Sequence, residues 1–90
     1  MNIDKLFTVI EERIKNNTKN SYTNKLMKLG QKKIAQKFGE ESSELIIDYL
    51  KGSKKRTIEE AADVIYHLLI LLRSKKISLQ EINKELAKRK

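Results

Sequence analysis

The chain has no cysteine, no proline, no tryptophan and only three glycines. Without cysteine there is no disulfide and no thiolate metal site, and a cytoplasmic location is the expected one. Without proline the strongest helix breaker is missing, which suits a nearly all-helical chain. Three tyrosines and two phenylalanines are few, and most fall at core spacing. That argues against reading single-stranded nucleic acid on stacked aromatic platforms. The longest apolar run, Val64 to Leu72, is interrupted by His67 and is far short of the roughly 20 residues that cross a bilayer. Met1-Asn2-Ile3-Asp4 lacks a signal-peptide pattern. There is no glycine-rich phosphate loop, no Ser/His/Asp set and no cysteine nucleophile.

What the chain does have is positive charge. Its 90 residues carry a formal charge of +8. Lysines solvating helices account for part of it, but the balance points to an anionic partner, whether nucleic acid, a membrane surface or a phosphorylated small molecule, and charge alone does not choose among them. The length predicts one domain over residues 1–90. A chain this short hides only about 60–65% of its unfolded surface and is marginal alone. The run from Val64 to Leu72 is apolar almost all round, so it needs cover on several sides. A dimer or larger homo-oligomer is therefore expected.

Periodicity predicts four to five helices. The first runs from about Ile3 to Lys15, with Leu6, Val9, Ile10 and Ile14 as its apolar stripe. Ser21 caps a short helix over Tyr22 to Leu29, ended by Gly30. A third runs from Gln31 to Leu50, with Ile34, Phe38, Leu45 and Tyr49 on its apolar side. Gly39 inside it would permit close backbone approach. Lys51 to Arg56 read as a basic turn, and Thr57 as the cap of a fourth helix ending near Ser74. Ser78 caps a last helix over Leu79 to Lys88.

Two acidic pairs stand out, Glu41 with Glu44 and Glu60 with Asp63, each with i,i+3 spacing. Such residues lie about 60° apart around a helix and project to one side. If the two helices pack antiparallel, the four carboxylates converge on one point. Like charges gathered this way need a cation, and oxygen-only ligands favour Mg²⁺ or Mn²⁺ over softer metals. Plainer readings exist. Glu40 and Glu41 also read as surface acids, and Thr57-x-x-Glu60 matches a capping box. The box leaves Asp63 unexplained between alanines beside the apolar run, where an unpaired carboxylate is costly. His67 shares the stripe of Glu60 and Asp63. It reads either as a satisfied interior histidine or as a group that orients a carboxylate. Lys25, Lys33, Lys37 and Arg56 are candidate phosphate contacts.

These residues carry a resemblance. Ser21-Tyr22-Thr23, Gly30, Lys37-Phe38-Gly39-Glu40-Glu41-x-x-Glu44 and Glu59-Glu60-Ala61-Ala62-Asp63-x-x-Tyr66-His67-Leu68-Leu69 are similar to the phosphoribosyl-ATP pyrophosphohydrolases of histidine biosynthesis. The acidic core alone resembles the wider MazG-like and dimeric dUTPase-like group. The resemblance implies an all-α MazG-like bundle, intertwined as a homodimer or higher oligomer. It implies Mg²⁺-dependent hydrolysis of phosphoribosyl-ATP to phosphoribosyl-AMP and pyrophosphate, without the cyclohydrolase domain that is often fused to it. Glu41, Glu44, Glu60 and Asp63 are then the expected metal ligands. Glu40 and Glu41 are the expected catalytic residues, Glu40 orienting or deprotonating the water. Asp48 departs from the family pattern, which has a small residue there. The alternatives are a house-cleaning nucleoside triphosphate pyrophosphohydrolase and a basic helical nucleic-acid-binding module. The expected partners are the small-molecule substrate and a second copy of the chain, with no nucleic acid and no membrane.

Overall fold

In the computed structural model, residues 1–89 are described, and among them there are five helices and no strand. They are α1 (Ile3–Asn16), α2 (Tyr22–Leu29), α3 (Gln31–Lys51), α4 (Lys54–Ser74) and α5 (Leu79–Ala87). No helix among the described residues is long and apolar enough to cross a membrane.

Local chemistry accounts for most of the boundaries. Ser21 accepts a hydrogen bond from the Asn24 N–H, and Ser78 and Glu81 form a reciprocal capping box. Gly30 serves two helices at once. Its N–H donates to the carbonyls of Leu26 and Met27, ending α2, and its φ of 93° starts the chain afresh into α3.

The fourth helix corrects the sequence reading. It begins at Lys54, capped by Ser53, whose hydroxyl accepts from the Arg56 N–H at 3.1 Å. Thr57 is not a cap; its hydroxyl donates to the carbonyls of Ser53 and Asp48. Three basic residues in a first helical turn oppose the helix dipole. Arg56 offsets this by reaching Glu59 and Glu60, three and four residues on. Glu60 is therefore not held in a capping box.

α3 and α4 form a long hairpin, with α1 and α2 packed against its far end from the turn. The core lies there, built from Phe7, Ile10, Leu26, Ile34, Leu69 and Ile70. Asn24, nearly buried, clamps the α1–α2 loop by donating to the carbonyls of Arg13 (2.8 Å) and Thr18 (3.0 Å). Two expectations fail in α3. Tyr49 does not join the apolar side but stands exposed, with Ile46, Ile47 and Leu50. Gly39 has open space around it, with nothing of this chain within 4 Å of an added Cβ, so no close packing within the chain requires it. α5 buries none of its residues.

Candidate metal centre

The antiparallel α3–α4 hairpin brings the middle of each helix together. Carboxylate oxygens of Glu41, Glu60 and Asp63 all lie within 4.8 Å of one another. Glu60 is buried, Glu41 half-buried and Asp63 exposed, so the group opens to solvent on one side. Glu44 is exposed and outside this set of three, yet its charge acts on both Glu41 and Glu60.

The electrostatics follow from this crowding. The Glu41 carboxyl is held above its ordinary pKa, first by burial, then by Glu44 and Asp63, against the pull of His67 and Lys37. The Glu60 carboxyl is also raised, first by burial; Arg56 opposes the rise, and Glu44 and Asp63 add to it. Glu60 Oε1 accepts a hydrogen bond from Arg56 Nη2, while Oε2 is buried with no hydrogen-bond partner. An orphaned buried carboxylate oxygen is costly unless a cation meets it. Three converging carboxylates and that orphan oxygen fit a hard divalent ion.

Glu40 does not join the group. Successive helical residues point about 100° apart, and Glu40 faces away from Glu41. It accepts from Gln36 (2.9 Å) and Lys37 (3.4 Å), and these two hydrogen bonds lower its pKa. It lines a cleft of about 210 Å³ together with Tyr22, Lys25, Lys33 and Lys37. Three of the expected phosphate contacts thus share one cleft between α2 and α3. The fourth, Arg56, stands apart. Its guanidinium is engaged by Glu60, by Glu59 at 3.0 Å and by Asp48 at 3.7 Å. Asp48 accordingly belongs with Arg56 rather than with the group of three. A cavity of about 740 Å³ is walled by the α1–α2 loop and α2, with no carboxylate side chain in its lining.

His67 is buried and satisfied at both ring nitrogens. Its Nδ1–H donates to the Asp63 carbonyl at 2.8 Å, and Nε2 pairs with the Tyr22 hydroxyl at 3.0 Å. It bears on Asp63 through the backbone, not through the carboxylate. Sequence reasoning found no sign of a role for Tyr22 at the site. Tyr22 stacks on Tyr66, whose hydroxyl bonds Thr23 at 2.7 Å. The Ser-Tyr-Thr and Tyr-His segments, 43 to 45 residues apart, are therefore one structural unit.

Fold and site together define an all-α protein with a carboxylate group built from two adjacent helices and suited to a divalent cation. The comparisons specify it further. The family model described as phosphoribosyl-ATP pyrophosphohydrolase matches residues 3–90. A Sulfolobus acidocaldarius protein named phosphoribosyl-ATP pyrophosphatase is 46% identical over 87 residues, covering 97% of this chain and 92% of that relative. A Clostridium acetobutylicum protein of the same name is 48% identical, covering 97% of this chain and 79% of the relative. The histidine biosynthesis bifunctional protein HisIE of Staphylococcus epidermidis is 44% identical, covering 97% of this chain and 41% of the relative. The chain belongs to the phosphoribosyl-ATP pyrophosphohydrolase family.

Proposed function

We propose that this chain hydrolyses phosphoribosyl-ATP at the α–β anhydride, giving phosphoribosyl-AMP and pyrophosphate, with Mg²⁺ as the cation. Membership of the family supports the reaction. The observation that carries the chemistry is the convergence of Glu41, Glu60 and Asp63, with one buried oxygen of Glu60 unpartnered. These three carboxylates are the proposed ligands, and Glu44, adjoining them, is the fourth of the set. A bound Mg²⁺ supplies neutralisation of phosphate charge and a more acidic water.

The chain's own residues supply the rest. His67, anchored to Tyr22, fixes the backbone at Asp63. Arg56 offsets the charge of Glu60 and is itself held by Glu59 and Asp48. Water adds to phosphorus as the anhydride oxygen departs with pyrophosphate, and its proton passes to a carboxylate of the group. Glu40 accepts from Gln36 and Lys37 and stands outside the group, so the proton is not assigned to it. The assay is pyrophosphate release from phosphoribosyl-ATP with and without Mg²⁺. Glu41→Gln and Asp63→Asn should each lose at least about a hundredfold in turnover while remaining folded. Near-normal turnover by either contradicts the assignment.

The active form is proposed to be a cytoplasmic homodimer. The exposed surface is 6956 Å², against about 5,400 Å² expected for a folded monomer of this size. The excess is on the scale of one subunit's share of an obligate interface, roughly 1,000–2,500 Å². The radius of gyration, 14.0 Å against about 12 Å expected, agrees. Ile46, Ile47 and Leu50 of α3, with Ile58 of α4, are the exposed apolar surface to be covered. Solution mass should be twice that of one chain, and Ile47→Asp should shift it towards one. A stable wild-type monomer contradicts the dimer.

A further inference from the structure

The proposed substrate has two anionic ends, a triphosphate on one ribose and a lone 5-phosphate on another. Basic side chains occupy two regions on either side of the carboxylates, one neutralised by its acidic neighbours and one not. Arg56 lies towards the α3–α4 turn, beside Asp48 and Glu60. Lys25, Lys33 and Lys37 lie in the cleft towards the other end. Lys37 and Asp48, which mark the two regions on α3, are about 16 Å apart along the helix axis. Glu41 falls between them.

Resting on the reading above, we infer that the Lys25–Lys33–Lys37 cleft holds the ribose 5-phosphate end of the substrate and is what separates phosphoribosyl-ATP from ATP. Three lysines from two helices face one carboxylate there, so the cleft carries surplus positive charge. At about 210 Å³ it is smaller than the roughly 300–1,000 Å³ of pockets that enclose a whole drug-sized ligand, which suits one end of a long substrate. Tyr22 forms its wall towards the metal centre. The same ring lines the cleft and bonds His67, which bonds the Asp63 backbone. A phosphate seated among the lysines thus lies beside the carboxylates without entering their group. ATP, lacking the second ribose phosphate, leaves the cleft empty and forgoes its contacts.

The test compares kcat/KM for phosphoribosyl-ATP and for ATP. Lys33→Gln and Lys25→Gln should each reduce the preference for phosphoribosyl-ATP about ten- to a hundredfold, the scale of one charge-assisted hydrogen bond. Lys32→Gln removes the same charge next door, outside the cleft, and should leave the preference unchanged. A second probe is independent of the reaction. Ribose 5-phosphate, titrated into the chelator-treated protein, should shift the amide resonances of Lys25, Lys33 and Lys37, and bind more weakly to Lys33→Gln than to Lys32→Gln. An unchanged preference, or equal losses with both substrates, overturns the subsite, as does ribose 5-phosphate binding that ignores Lys33. A wild-type chain that binds ribose 5-phosphate through these lysines yet leaves phosphoribosyl-ATP intact overturns the reaction and retains the subsite.

Discussion

Both halves of α3 carry large apolar side chains, and these meet opposite fates. In the first half Ile34 is 3% exposed, packed into the core with Leu26 and Ile70. In the second half Ile47 is 60% exposed and Leu50 70%. The carboxylates of Glu41 and Glu44 sit at the joint. The first half is finished by this chain alone, whereas the second presents a face that only another body can cover. The centre is thus anchored on a rigid core at one side and adjoins an unpartnered surface at the other.

The sharpest way to test this contrast is to cut side chains in each half of the hairpin. Ile70→Ala, at a site with 0% exposure, should cost about 2–5 kcal/mol in chemical denaturation. Ile47→Ala should act through the dimer, so its cost should depend on protein concentration, whereas that of Ile70→Ala should not. A concentration-independent Ile47→Ala cost as large as that of Ile70→Ala would mean that both halves of α3 are buried within one chain.

A smaller effect probes the joint. The Glu41 carboxyl has its pKa raised above 4.5 in the folded chain, so the folded state binds that proton more tightly than the unfolded state. Its charge therefore costs stability, absent below about 4.5 and developed in full once the pH passes the raised value. Glu41→Gln should raise the Tm of the metal-free protein at pH 7, and the gain should shrink as the pH falls towards 4.5. A gain that grows on acidification contradicts the crowding. Smallest of all, Gly39→Ala should stabilise by up to about 1 kcal/mol, because the site is helical and open. Destabilisation there would mean that a partner approaches the backbone at that point.

Much of this was legible in the sequence, for identifiable reasons. The starts of α2 and α5 follow from single side chains, Ser21 and Ser78, whose caps form as local spacing dictates. α4 was misjudged because two cap signals compete within five residues. Ser53 prevails once Arg56 finds Glu59 and Glu60 on its own helix. The i,i+3 pairs placed Glu41 near Glu60 and Asp63 because helical geometry and an antiparallel hairpin leave little freedom. Glu40, expected to orient or deprotonate the water, is turned away from that group by the same geometry, one residue being about 100° of rotation. The roles of Tyr22, Thr23 and Tyr66 were not legible, since their bonds join residues more than 40 positions apart and leave no periodic trace. The apolar excess of α4 signalled missing cover, but the barest surface lies on α3.

The central claim is that side chains from α3 and α4 form one cation site. Titration of Mn²⁺ into the chelator-treated protein, followed by calorimetry without substrate, tests it directly. Binding should be saturable, and abolished or at least about tenfold weaker in both Glu41→Gln on α3 and Asp63→Asn on α4. Binding of undiminished strength in either folded variant would contradict it.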